Sequence, residues 1–369
     1  MNTYRGDSTS ITAMSTQGNI YVDWIDRNGA VQNASWQEGR QWNRLAYAPP
    51  GSASINGSIT AVSRHPSTLE VWWIGANGSV QGAKWYEGAQ WERYELTPAG
   101  NASISGDITA VSRHKDTMEI WWIGTNGSVQ GAKWYEGAQW ERYELTPAVN
   151  ASASGDITAV SRHQGTLEVW WIGTNRSVQG AFWYEGAQWT RYELTPAGNA
   201  STSGGITAVS RHQGTLEVWW IGANRSVQGA FWYEGAQWTR YELAPAGNAS
   251  TNGGITAASR HQGTLEVWWI GANGSVQGAK WYEGAQWERY ELAPPPPEPT
   301  PPPPPPEPTP PPPPPEPTPP PPPPEPTPPP PPLEPTPPPP PPEPTPPPPP
   351  PEPTPPPPPP EPTPPPPPL

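Results

Sequence analysis

The sequence predicts an all-β fold, a β-propeller of six four-stranded blades over residues 10–293, followed by a polyproline II tail over 294–369. Three observations predict it: a 49-residue internal period, four strand-like runs per period joined by turn residues, and an abrupt change of composition at Pro294. The period is plainest in the phrase Leu-Glu-Val-Trp-Trp-Ile-Gly, which begins at Leu69, Leu167, Leu216 and Leu265 and becomes Met-Glu-Ile-Trp-Trp-Ile-Gly at Met118. Its second tryptophan falls at Trp73, Trp122, Trp171, Trp220 and Trp269, and Trp24 lies 49 residues before the first of these. Six copies therefore run from about Ser10 to Ala293, the first of them diverged. Residues 1–9 are too short for a further blade.

Within one copy the runs read as strands. Ile59–His65, Leu69–Ile74, Ser79–Tyr86 and Gln90–Leu96 are rich in β-branched and aromatic residues, and none shows a 3.6-residue period. Asn77-Gly78 joins the second and third runs and suggests a two-residue hairpin with two positive φ angles. Glu87-Gly88 joins the third and fourth, and Pro98-Ala99-Gly100-Asn101 leads to the next copy. Two copies carry Asn175-Arg176 and Asn224-Arg225 instead, where a left-handed arginine costs about 1 kcal/mol relative to glycine. Four antiparallel strands per copy are the sequence form of a propeller blade. A β-solenoid would have shorter coils and no use for Asn-Gly hairpins. Because blades stack face to face, both faces of the second strand should be buried, with Val71 and Trp73 on one side and Trp72 and Ile74 on the other.

The tail holds 58 of the 65 prolines, in Glu-Pro-Thr units separated by proline runs, with Leu333 as the one interruption. Proline fixes φ and donates no hydrogen bond, so the segment is expected to be a polyproline II stalk. Its 76 residues would reach on the order of 230 Å. It reads as a spacer, or alternatively as a ligand for SH3- or WW-type domains.

The net charge of −13 divides unevenly, because eight glutamates lie in the tail and the rest of the chain has 25 acidic against 20 basic residues. No basic run or patch stands out, which argues against nucleic acid as a partner. There is no cysteine, hence neither disulfides nor thiolate metal sites. The first residues lack a signal-peptide core and no segment could span a bilayer as a helix, so the expectation is either a non-classical route to the cell surface or exterior, or a cytoplasmic location.

No catalytic, metal or cofactor constellation is evident, and the expectation is a protein that is not an enzyme. The histidines, His65, His114, His163, His212 and His261, occur one per copy in a Ser-Arg-His phrase and read as turn-proximal polar residues. Active sites are asymmetric constellations built once. Near-identical repeats instead give several equal sites, which suits multivalent binding.

Sugars are recognised by an aromatic plane under their C–H face and hydrogen-bonding groups around their rim, and each copy is rich in both. Glu70, Glu119, Glu168, Glu217 and Glu266 each lie inside an apolar strand, where a lone carboxylate is costly. They read either as ion-pair partners of Arg64, Arg113, Arg162, Arg211 and Arg260 or as carboxylates accepting sugar hydroxyls. Copy one lacks this pair, with Tyr21 at the glutamate position and Asp23 in place of the first tryptophan, so its site is expected to be altered. The Asn-x-Ser phrases at Asn77 and Asn101 read as turn chemistry.

The order Leu69-Glu70-Val71-Trp72, Asn77-Gly78-Ser79-Val80, Trp85-Tyr86-Glu87-Gly88 and Trp91 resembles the repeat of fucose-binding propeller lectins, the Aleuria-type fungal and PLL-type bacterial proteins. The resemblance covers residues 10–293 and implies sugars bound between blades by paired tryptophans. Those positions match Trp85 and Trp91, Trp134 and Trp140, Trp183 and Trp189, Trp232 and Trp238, and Trp281 and Trp287. The family's clamp does not match: its second-strand arginine falls on Glu70 and its third-strand glutamate on Gly82. The reading is a multivalent carbohydrate-binding module on a spacer, with glycans as partners. A protein-interaction scaffold and a structural surface or wall protein are the alternatives.

Overall fold

A computed structural model of the chain describes residues 10–16 and 18–295; the expected stalk and N-terminal extension lie outside them, apart from Pro294 and Pro295. The described residues form six antiparallel four-stranded sheets, each with its strands in chain order. We number them blade 1 (Ile11–Ala48), blade 2 (Ile59–Thr97), blade 3 (Ile108–Glu144), blade 4 (Ile157–Glu193), blade 5 (Ile206–Ala244) and blade 6 (Ile255–Ala293). The first strands of successive blades lie side by side, as in a β-propeller.

Blade 2 shows why the sequence folds this way. Its strands are Ile59–Val62, Thr68–Ile74, Val80–Tyr86 and Glu92–Thr97. The first is shorter than the expected Ile59–His65, because Ser63 Oγ and Thr68 N both donate to His65 O and turn the chain. The second strand is buried from end to end in blades 2–5. Its alternation is the expected one: Val71 and Trp73 pack toward blade 1, Trp72 and Ile74 toward blade 3. Five such apolar layers join blades 1 through 6 in sequence.

The turn after the second strand differs from expectation. Only Gly78 has a positive φ, and the turn closes through Gly78 N donating to Gly75 O at 2.9 Å and Gly75 N to Ser79 O at 2.8 Å. This is a three-residue connection with one left-handed position. Asn77 is needed for its side chain, whose Oδ1 accepts from Ser79 N and Ser79 Oγ. Arg176 and Arg225 do occupy the left-handed position, with φ of 63° and 64°.

Two further polar contacts fix the layers. Trp72 Nε1 donates to Tyr94 Oη at 2.7 Å, and the same bond recurs in blades 3–6. Tyr94 lies directly on Gly82, where a Cβ would fall 2.6 Å from the ring, so any side chain there is excluded. Asn101, in the loop entering blade 3, accepts from Trp122 Nε1 at 2.9 Å, and Asn150, Asn199 and Asn248 repeat this. The Asn-x-Ser phrases thus serve turns and tryptophan partners.

Candidate interblade grooves

The sequence places an arginine, a glutamate and two tryptophans in every repeat, but the structure assembles them across blade junctions. Arg64 stands in the loop just beyond blade 2's first strand and Glu70 in its second strand, and Arg64 Nε meets Glu70 Oε1 at 3.1 Å. The guanidinium also donates through Nη1 to Lys115 O of blade 3 and lies over the Trp134 ring at 4.6 Å. Trp140 of blade 3 packs edge-on against Trp72 of blade 2 at 5.9 Å. One groove therefore takes Arg64 and Glu70 from blade 2 with Trp134 and Trp140 from blade 3.

Three more junctions repeat the arrangement. Arg113 and Glu119 pair at 2.8 Å beneath Trp183, beside Trp189. Arg162 and Glu168 pair at 2.7 Å under Trp232, beside Trp238. Arg211 and Glu217 pair at 2.7 Å under Trp281, beside Trp287. The remaining predicted residues are not joined to a full set. Trp85 and Trp91 face blade 1, which has Ser15 and Tyr21 where the others have arginine and glutamate. Arg260 and Glu266 pair at 2.7 Å at the far face of blade 6, with the arginine side chain 58% exposed against 4–5% for its counterparts.

The ion pairs form the floor of each groove. In the four complete junctions both side chains are almost wholly buried, and each glutamate's Oε2 finds no donor in the protein. Burial pushes the carboxyls of Glu70, Glu168 and Glu217 up to about 7 against the pull of the adjacent guanidinium, and raises Glu119 in the same direction.

Above the floor the walls are aromatic. Between blades 4 and 5 a cavity of about 340 Å³ is lined by Tyr184, Tyr192, Trp232, Gln237 and Trp238 over Arg162 and Glu168. Between blades 3 and 4 its counterpart, about 440 Å³, has Tyr135, Tyr143, Trp183, Gln188 and Trp189. The tryptophans are half-buried, braced from one side and open on the other. Such a groove offers flat apolar surface with a rim of hydroxyl, amide and guanidinium groups, matching a small polyhydroxylated ligand. The tyrosines are the partners that sequence reasoning underrated, because the Trp-to-Tyr spacing of 22 residues spans two strands.

The histidines lie in the loops between first and second strands, where Nδ1 of His65, His114, His163 and His212 accepts a backbone N–H two residues on. Among the described residues no group of three or more metal-ligating side chains is found, and no helix is long and apolar enough to cross a membrane.

The fold is shared with solved lectins. The chain aligns with the BP39L lectin from Burkholderia pseudomallei at a TM-score of 0.71 and 13% identity, covering 78% of this chain and 84% of that one. The SapL1 lectin in complex with alpha methyl fucoside aligns at 0.56 and 17% identity, covering 78% and 97%. The Aleuria aurantia lectin, a six-bladed β-propeller with its own fucose recognition mode, aligns at 0.55 and 14% identity, covering 76% and 94%. No protein-family profile matches the chain, and no curated protein matches it by sequence.

Proposed function

We propose that the protein is a multivalent carbohydrate-binding module whose sites are the interblade grooves, carried on the proline-rich segment as a spacer. One observation carries this reading: the same aromatic groove, floored by a buried Arg–Glu pair, recurs at four successive junctions. Four equal, shallow sites are of little use to a catalyst and of great use to a binder that gains by avidity. The lectins of the same fold, two of them described with fucose or a fucoside, make an α-fucoside the first ligand to try. The groove would hold it by tools of its own. Gly82 has no room for a carboxylate beneath Tyr94, and Arg64 approaches from the loop after the first strand and is spent on Glu70.

The test is a glycan array probed with the full chain, followed by fluorescence titration of any hit with its four-site variant Trp134→Ala/Trp183→Ala/Trp232→Ala/Trp281→Ala. Saturable binding that weakens at least about tenfold in the variant, with unchanged circular dichroism, supports the reading; tenfold corresponds to about 1.4 kcal/mol per site. A silent array with a folded protein overturns it in favour of a protein-interaction scaffold. The same chain on an SH3 or WW panel would show whether the proline segment is itself a ligand.

A further inference from the structure

Blades 2–6 are near-identical, so a position at which they divide into two kinds stands out. On the third strand, blades 2, 3 and 6 carry Lys84, Lys133 and Lys280, whereas blades 4 and 5 carry Phe182 and Phe231, the only phenylalanines in the chain. Directly opposite on the fourth strand, Glu92, Glu141 and Glu288 give way to Thr190 and Thr239 in the same two blades. The two positions change together because they are cross-strand neighbours. Lys84 meets Glu92 at 3.3 Å, Lys133 meets Glu141 at 3.2 Å and Lys280 meets Glu288 at 3.3 Å, and a glutamate facing phenylalanine would lose its counter-charge.

The exchange falls on the groove wall. Lys133 and Glu141 line the groove between blades 3 and 4, and Phe182 lines the one between blades 4 and 5. In blade 2 the Lys84 ammonium sits over the Tyr94 ring at 5.9 Å. In blade 4 the Phe182 ring takes that place, 6.1 Å from Tyr192, which in turn stacks on Trp238 at 6.4 Å. Blade 5 repeats the row as Phe231, Tyr241 and Trp287, at 6.1 Å and 6.3 Å. Two grooves thus carry a row of three rings, and two end the row in an ion pair. Packing does not require the phenylalanine, since three blades fold with lysine in its place. Phe182 and Phe231 are only half-buried. An apolar ring left open on the wall of a concave site is surface for an apolar group to cover.

We propose that the grooves are of two kinds, and that Phe182 and Phe231 select a glycoside bearing an apolar aglycone. The grooves walled by Lys84–Glu92 and Lys133–Glu141 take the sugar without preference for such a group. The inference rests on the carbohydrate reading above and adds to it the second half of the ligand. The Arg–Glu floor and the tryptophans are common to all four grooves, so the sugar half is read alike in each. Only the far end of the aromatic row differs. An aglycone laid along Phe182 or Phe231 gains one further ring contact. Laid beside Lys84 or Lys133, whose side chains are 32% and 34% exposed, the same group would strip water from an ammonium and receive nothing in return.

The test is calorimetric titration of the full chain with two probes, methyl α-L-fucoside and phenyl α-L-fucoside. The methyl glycoside should bind as a single class. The phenyl glycoside should resolve two sites about tenfold tighter than the rest, the gain of one aromatic contact. Phe182→Lys/Thr190→Glu/Phe231→Lys/Thr239→Glu installs the pairs that blades 2 and 3 already carry, and should bring the phenyl-to-methyl affinity ratio near one. The converse variant, Lys84→Phe/Glu92→Thr/Lys133→Phe/Glu141→Thr, should raise the tighter sites from two to four. A single class for the phenyl glycoside, or a ratio that neither variant moves, would overturn the inference and leave the carbohydrate reading standing. Failure of both fucosides to bind would remove fucoside recognition by the grooves, and this inference with it.

Discussion

Blade 1 and the five blades that follow solve the same packing problem with different residues. In blades 2–6 a tryptophan in the second strand donates to a tyrosine in the fourth, and a glycine in the third makes room for the tyrosine ring. In blade 1 all three positions change together: Asp23 replaces the tryptophan, Leu45 the tyrosine and Asn33 the glycine. The hydroxyl returns from another position, for Tyr47 donates to Asp23 Oδ1 at 2.9 Å and Asn33 Nδ2 to the same oxygen at 2.7 Å. Such sets are exchanged whole or not at all, because a buried polar atom must keep its partner and a filled volume its shape. The difference also separates what packing requires from what the proposed binding requires. Blade 1 still stacks on blade 2, but the junction between them has lost the Arg–Glu floor.

Exchanging one member of the set should therefore break a blade. Gly180→Asn in blade 4 copies Asn33 of blade 1 without Leu45, and its Cβ would fall 2.5 Å from the Tyr192 ring. We expect a loss of about 3 kcal/mol, read from the urea midpoint, and partial rescue by adding Tyr192→Leu. An unchanged midpoint would show that the three positions are independent.

A second contrast concerns protons. Burial holds Glu70, Glu168 and Glu217 at about 7 and Asp23 at about 6, above their ordinary values of 4.5 and 3.8. A carboxyl raised in the folded state favours folding while both states hold the proton, and that favour is lost as the unfolded chain releases it first. Stability should thus fall as pH rises from about 4 to about 7 and level off above. Tm measured at pH 5 and pH 8 should differ by several degrees, at about 2–4 °C per kcal/mol for a domain of this size. Glu217→Gln should flatten the slope, and a Tm that rises across this window would refute the account.

Two smaller changes should repair irregular copies. Val149 stands where the other copies have Gly100, Gly198 and Gly247, and it is forced to a φ of 65°. Relieving it with Val149→Gly should stabilise the fold by about 1–2 kcal/mol in a denaturant titration. Trp73 Nε1 is buried without a partner, because Ser52 occupies the place of the asparagine that serves the other blades. Ser52→Asn should restore that bond and add about 1 kcal/mol, with protection of the Trp73 indole proton from exchange as the direct check.

Most of the architecture was legible because the repeat aligns each residue with its copies. The burial of both faces of Leu69–Ile74 followed from alternation along one strand, the left-handed arginines from their place in the turn, and the Arg64–Glu70 pair was one of two readings of a carboxylate in an apolar strand. What escaped depends on contacts between strands or blades. The turn at Gly78 is set by two backbone hydrogen bonds that tie Gly75 to Gly78 and Ser79, and by an asparagine side chain, not by the Asn-Gly dipeptide alone. Gly82 gives no hint in sequence that a ring lies across it. Nor does a repeat reveal that Arg64 belongs with Trp134 of the next blade and not with Trp85 of its own, since both spacings recur with the same period.

The sameness of the junctions bears on how such a chain can change over generations. Blades 2–6 each carry one face built to receive and one built to be received, so any of them fits beside any other. Unequal recombination between near-identical stretches of coding DNA could delete or duplicate 49 residues and leave every surviving contact as it was. Blade 1 stands outside that exchange, because the Asp23 set is found there alone. It works as a bookmark, marking one place in an otherwise uniform array.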